Sequence, residues 1–124
     1  MIDTIPNPIF YKDARFQYLG CNKAFEEYIG IPREDLVGKT TFDIAPAELA
    51  KIYHQADQDL WDKGDDQVYE ASVKYADGST HDVIFYKKIF SDIEGNPAGM
   101  IGTFLDITDR KDSERQLKNA LDET

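Results

Sequence analysis

Between residues 67 and 105 the chain is patterned as an antiparallel meander in which two of the three strands are apolar on both faces. Tyr69, Ala71, Val73 and Tyr75 alternate with Val68, Glu70, Ser72 and Lys74, the period of a half-buried strand. Asp77-Gly78 then reads as a tight hairpin turn. The return run, His81 to Phe90, carries Val83, Phe85 and Ile89 on one row and Ile84, Tyr86 and Phe90 on the other. A second turn, Glu94-Gly95-Asn96-Pro97, leads to Met100–Leu105, where Met100 and Phe104 alternate with Ile101 and Leu105. Strands apolar on both rows need cover on both sides. One side must receive helices, and something further must cover the other.

The first half supplies the helices. Ile9–Lys12 and Phe16–Cys21 are short β-rich runs flanking Asp13-Ala14-Arg15, the pattern of a hairpin. Asn22 is placed to cap a short helix with Phe25, Tyr28 and Ile29 on one face and Gly30 as its stop. Pro32 opens another turn that runs through Leu36 and Val37 to Gly38. After Pro46, Leu49, Ile52, Tyr53, Ala56 and Leu60 recur at helical spacing, and Gly64 ends the run. Thr108 is positioned as the N-cap of a charged C-terminal tail in which Ile107, Leu117 and Leu121 trace a sparse heptad pattern, interrupted by Glu114.

At 124 residues this is one domain's worth of chain. The net charge of −10 disfavours nucleic acid and anionic lipid as partners, since both require a basic footprint. The single cysteine, Cys21, excludes an internal disulfide and suits a reducing, cytoplasmic setting. No apolar run approaches a membrane span, so direct membrane contact by this segment is not expected, although a parent protein could be anchored.

The ordered set of elements resembles the PAS domain. Asn22-Lys23-Ala24-Phe25 followed by Tyr28-Ile29-Gly30 is similar to the family's first-helix signature, and Arg33-Glu34-Asp35-Leu36-Val37-Gly38-Lys39 to the segment after it. Asp77-Gly78 matches the hairpin turn; Gly102 with Asp106-Ile107-Thr108-Asp109-Arg110-Lys111 matches the last strand and its exit. The resemblance implies an α+β PAS fold over residues 8–108: a five-stranded antiparallel sheet, short helices packed on one face, and a signalling helix beginning at 109–124. It implies a sensory and dimerisation module of a bacterial signalling protein, with a sensor histidine kinase the first expectation for the output domain in the same chain. The alternatives are a ligand-free dimerisation scaffold and a module of a diguanylate cyclase or phosphodiesterase, or of a transcriptional regulator. A homodimer is expected through the outer sheet face, where Ile84, Tyr86, Ile101 and Leu105 form the second apolar row. Asp106, Thr108 and Arg110 are the expected relay from strand to helix.

Within that frame the chemistry is sparse. His54 lies on the long helix, where some PAS domains hold haem, but about 140° from the apolar stripe, so haem is not expected. The Asn-Cys-Arg-Phe-Leu-Gln run of light-sensing flavin domains is missing, Cys21 sits too early to replace it, and Phe104 occupies the position of their flavin-contacting glutamine. Covalent flavin is therefore not expected, and no other cofactor is indicated. His54, Asp57, Gln58 and Asp62 read as a solvated helix face rather than a metal site. No nucleophile is seen beside a base, so no catalysis is expected of this segment. Lys87 shares its row with Val83, Phe85 and Ile89, which by resemblance faces a pocket. There it would either bind a small anionic ligand such as a carboxylate, pair with an acid from the long helix, or reach the rim. Tyr53, Ala56, Val73, Phe85, Met100 and Phe104 are the expected lining beside it.

Overall fold

One side chain both closes the first hairpin and starts the first helix. In the computed structural model, which describes residues 7–109 and 114–117, Asn22 Oδ1 accepts from Phe25 N at 3.0 Å and Ile9 N at 2.9 Å. It thereby joins strand β1 (Ile9–Asp13) to helix α1 (Lys23–Ile29). Gly30, at φ 75°, ends α1 in the left-handed conformation that glycine adopts without steric cost. The remaining elements are β2 (Tyr18–Cys21), α2 (Arg33–Leu36), α3 (Thr41–Ile44), α4 (Ala47–Lys63), β3 (Asp66–Lys74), β4 (Thr80–Ser91) and β5 (Pro97–Asp106).

The strands form one five-stranded sheet in the order β2-β1-β5-β4-β3, with every neighbouring pair antiparallel. The last strand in sequence is thus the middle strand in space. It pairs with β1 through Phe10↔Gly102 and with β4 through Lys87↔Gly102. Gly102 is bare for a reason: a Cβ there would stand 2.4 Å from the Phe10 ring, which lies across β5. The expected alternation of β3 holds, with Tyr69, Ala71 and Val73 turned inward and Val68, Glu70 and Ser72 outward.

Two apolar clusters fill the space between sheet and helices. The larger joins Phe10, Tyr18, Phe25, Tyr28, Leu36, Tyr53, Phe85 and Phe104. The smaller packs Phe16, Leu60 and Met100 together with Trp61 and Ile89. Phe16 holds φ 65°, uncommon for a bulky residue, at the β1–β2 turn. Its burial against Leu60 and Met100 offsets that cost and makes β2 start at Tyr18 rather than Phe16.

One element goes beyond the sequence reading and one expectation needs correction. The region before Pro46 contains a helical turn, α3, held by a capping box in which Thr40 and Asp43 satisfy one another's backbone. The buried stripe of α4 is Ala50, Tyr53, Asp57 and Leu60, whereas Ile52 is 55% exposed. Reading the stripe from apolar residues alone rotated the helix, because a carboxylate occupies one of its inward positions.

Of the C-terminal helix, Thr108–Asp109 and Glu114–Leu117 are helical, while residues 110–113 and 118–124 lie outside the described part. Arg110, expected in the relay, and Leu121, expected in the heptad pattern, are therefore not described. Ile107 is buried at 4%, so it belongs to the core of the domain.

Candidate functional site

Strand alternation carries Phe10 and Lys12 to the inner face of β1, and Phe85 and Lys87 to the inner face of β4. On α4, Tyr53 and Asp57 are four residues apart and project from one side toward that face. The consequence is a cluster of three charges deep inside the molecule. Asp57 Oδ2 accepts from Lys12 Nζ at 2.6 Å and Oδ1 accepts from Lys87 Nζ at 2.6 Å. The three side chains are between 1% and 3% exposed. Lys12 also donates to Thr41 Oγ1 of α3 at 2.8 Å.

Two ammonium groups share one carboxylate, so the fully ionised cluster carries a net charge of one positive unit. Aromatic faces supply further compensation: Lys12 Nζ lies 4.7 Å from the Tyr18 ring centroid, and Lys87 Nζ 4.8 Å from that of Tyr69. Burial works to raise the Asp57 carboxyl, but Lys12 and Lys87 outweigh it and hold the group below the usual aspartate range. Burial pushes the Lys87 ammonium below lysine's ordinary value; Asp57 opposes this and the neighbouring Lys12 adds to it. For Lys12 burial acts downward as well, but Tyr18 and Asp57 together hold it above. Lys12 has the extra hydroxyl partner, so Lys87 is the less satisfied of the two cations.

The cluster borders a cavity of about 30 Å³ between the sheet and the helices. Lys12, Thr41, Asp57 and Lys87 form its polar side; Phe10, Tyr18, Phe25, Tyr28, Tyr53, Phe85 and Phe104 form the rest. Desolvation raises the Tyr18, Tyr28 and Tyr53 hydroxyls above the ordinary phenol value, so these walls are neutral at physiological pH.

Of the residues expected to line a pocket, Tyr53, Phe85, Lys87 and Phe104 meet around this cavity. Three do not. Val73 is fully buried in the larger cluster beside it. Met100 belongs to the Phe16–Leu60 cluster. Ala56 faces a surface groove with Ile52 and Tyr69. Lys87 pairs with an acid of the long helix, one of the outcomes expected for it, and that acid is Asp57; Asp57 itself was read as solvent-facing, and Lys12 and Thr41 were not anticipated. Lys12 could have been found from its period-two relation to Phe10, and Asp57 from its spacing to Ala50, Tyr53 and Leu60. His54 lies away from the cavity, its ring against Phe16 and Phe42 at centroid distances of 5.6 and 5.1 Å.

A second polar cluster sits where β5 leaves the sheet. Asp106 Oδ1 accepts from Thr108 N at 2.9 Å and from Thr108 Oγ1 at 2.6 Å. Thr108 Oγ1 in turn accepts from Asp82 N at 3.0 Å, and Ile107 N donates to Asp82 O at 2.8 Å. Asp106 thus takes the Thr108 N–H, and the threonine hydroxyl stitches the helix start to β4; the N–H groups that an N-cap at Thr108 would receive, those of residues 110 and 111, lie outside the described residues. On its other side Asp106 Oδ2 meets His81 Nδ1 at 2.5 Å, and His81 Nε2 meets Ser79 Oγ at 2.8 Å.

Serine, histidine and aspartate thus fall in line, which the sequence reading did not foresee. Ser79 closes the hairpin turn just before β4, His81 is the second residue of that strand, and Asp106 ends the adjoining β5. The serine is also engaged at 2.5 Å with Asp77 Oδ1 in the hairpin turn. This makes the row a structural brace across the hairpin and the exit.

The outer sheet face carries the second apolar row. Tyr86, Ile101 and Leu105 are 44%, 44% and 43% exposed, and Ile84 is half-buried. Among the described residues no helix is long and apolar enough to cross a membrane.

Comparison with known proteins agrees with this architecture. The sequence model of the PAS fold matches residues 2–112. The aerobic respiration control sensor protein ArcB of Escherichia coli K12 is 28% identical over 119 residues, which are 96% of this chain and 15% of ArcB. The solved PAS domain of BvgS from Bordetella pertussis superposes with a TM-score of 0.75 at 26% identity, covering 99% of this chain and 93% of that one. A Vibrio VqmA–ligand–DNA complex superposes with a TM-score of 0.79 at 30% identity, covering 86% of this chain and 49% of VqmA. The chain therefore spans only a small part of the curated sensor proteins it matches.

Proposed function

The chain belongs to the PAS fold family, and from that premise we propose that it is the cytoplasmic sensory module of a sensor histidine kinase, relaying a change in its interior through its C-terminal helix. Its relatives ArcB and BvgS are named sensor proteins, which supports a kinase as the output domain in phosphorelay signalling. The observation that carries the reading is that cavity and exit share two strands. β4 gives Phe85 and Lys87 to the cavity and Asp82 to the exit brace; β5 gives Phe104 to the cavity and Asp106 to the brace. A displacement of β4 against β5 alters both ends together.

In this reading the outer face, with Ile84, Tyr86, Ile101 and Leu105, joins two copies of the module, so that movement of one sheet reaches a paired output helix. Exposed apolar area of this kind marks a contact surface. A second reading, a scaffold that holds no ligand, is favoured by the small volume of the cavity and its aromatic filling.

The test is autophosphorylation of the full-length parent carrying Phe85→Trp, which fills the cavity, alongside native mass spectrometry of the unmodified module. A retained small-molecule mass and an output fixed at one level by Phe85→Trp are expected. An apo protein whose parent signals unchanged with the cavity filled would replace the sensor by the scaffold.

A further inference from the structure

We infer that the cavity selects a short-chain monocarboxylate, with its carboxylate against Lys87 and its hydrocarbon end against the aromatic wall; this assignment rests on the sensory reading above. Three features of the site converge on that chemistry, and the first is charge. Lys12 and Lys87 face a single carboxylate, Asp57, at 2.6 Å each. Among the described residues no other charged side chain borders the cavity, and the tyrosines around it are neutral. A monoanion brings the buried cluster to zero, which a neutral ligand cannot do and a dianion overshoots. Burying uncompensated charge is among the most expensive arrangements in a protein interior.

Hydrogen-bonding capacity points the same way. An ammonium carries three donors. Lys12 directs its own at Asp57, Thr41 and Tyr18. Lys87, 4% exposed, has only Asp57 Oδ1 as an oxygen acceptor among the described residues, with the ring faces of Tyr69 and Phe85 on its other sides. It therefore has donors to offer an incoming oxyanion, which would favour the charged ammonium against the burial that lowers it.

Size and polarity set the rest of the ligand. A cavity of about 30 Å³ holds roughly two water-sized groups, since one needs about 10–15 Å³ by this measure. That room restricts the acid to the shortest members, and acetate, with four non-hydrogen atoms, enters only as the aromatic wall yields. The aromatic lining includes Phe25, Tyr28 and Phe104. A methyl group suits that wall, whereas an inorganic oxyanion would lose hydration there without gaining a partner.

The experiment titrates the whole chain with sodium acetate, sodium propionate, acetamide and sodium nitrate at matched ionic strength, read by calorimetry and ligand-observed NMR. Saturable binding of acetate is expected, tighter than propionate and at least about tenfold tighter than acetamide or nitrate, the worth of one charge-assisted hydrogen bond. Lys87→Met is expected to weaken acetate binding by about tenfold or more. This variant retains the one-to-one Lys12–Asp57 pair, which favours its folding; should it not fold, the ranking of ligands on the unmodified protein decides alone. Absence of saturation by both acids, equal binding of acetamide, or undiminished binding by a folded Lys87→Met protein would overturn the assignment. A neutral or larger molecule retained by the native protein overturns the carboxylate while the sensory reading stands. Indifference of the parent kinase to cavity filling removes the sensory reading itself.

Discussion

Asp57 on the long helix and Lys87 on the fourth strand meet at 2.6 Å with side chains 1% and 2% exposed, so an ionic bridge ties helix layer to sheet within the apolar interior. Breaking such a pair on the side that leaves charge behind is costly, commonly about 3–5 kcal/mol. Asp57→Asn strands two lysines; Lys87→Met leaves a neutral pair. Denaturant unfolding is expected to show Asp57→Asn destabilised by about that amount and Lys87→Met by much less. Similar losses in the two variants would contradict the shared-carboxylate arrangement.

Acid should act through the same residue. The Asp57 carboxyl titrates below its unfolded value, which is about 3.9. Its contribution to stability is therefore complete above that value and disappears as pH falls through the lower folded value. The unmodified protein is expected to lose stability more steeply than Asp57→Asn below about pH 4. Parallel acid limbs in the two proteins would show that another group governs the transition.

Gly102→Ala places a methyl 2.4 Å from the Phe10 ring. The ring must move, and it lines the cavity as well as the core. An overpacking cost of about 1–3 kcal/mol is expected in thermal unfolding. Combining Gly102→Ala with Phe10→Leu should recover part of it, because the smaller side chain vacates the contact.

The exit brace predicts a separation of output from affinity. Asp106→Ala removes the oxygen that accepts from Thr108 N, and Thr108→Val removes the hydroxyl that accepts from Asp82 N. Each is expected to cost about 1 kcal/mol in stability. Both should change autophosphorylation of the parent more than they change ligand affinity of the module. Equal losses in the two assays would mean that the brace serves the cavity and not the helix.

Charge placed on the outer face tests self-association. Ile101→Glu or Tyr86→Asp substitutes residues that are 44% exposed, so the fold should survive. Light scattering after size exclusion is expected to show a dimer for the unmodified module and a monomer for either variant. A monomer throughout would remove this face from the dimer proposal.

The sheet was legible in the sequence because its signals are local. Asp77-Gly78 marks a turn, alternation gives the face of β3, and Gly30 and Gly64 stop their helices with φ values of 75° and 77°. The centre of the site was not legible for the same reason. Periodicity ranks positions by apolar character, so Asp57 read as solvent-facing although Ala50, Tyr53 and Leu60 flank it on the buried stripe. Lys12 closes a strand whose length is ambiguous by one residue, and its partner lies 45 positions away. Long-range ionic pairing has no local signature. The Ser79–His81–Asp106 row spans 25 positions between His81 and Asp106 and was hidden likewise.

The central place of β5 also governs when the protein becomes itself. β1 and β2 make one hairpin and β3 and β4 another, and only Pro97–Asp106 bonds to both. During synthesis the first hairpin emerges with its inner face exposed and waits through the helices and the second hairpin for its partner strand. The domain can close only after Asp106 has left the ribosome, with the start of the C-terminal helix following directly behind. Any premature stop before that strand yields two unjoined hairpins with open edges, the form of chain most exposed to aggregation and proteolysis.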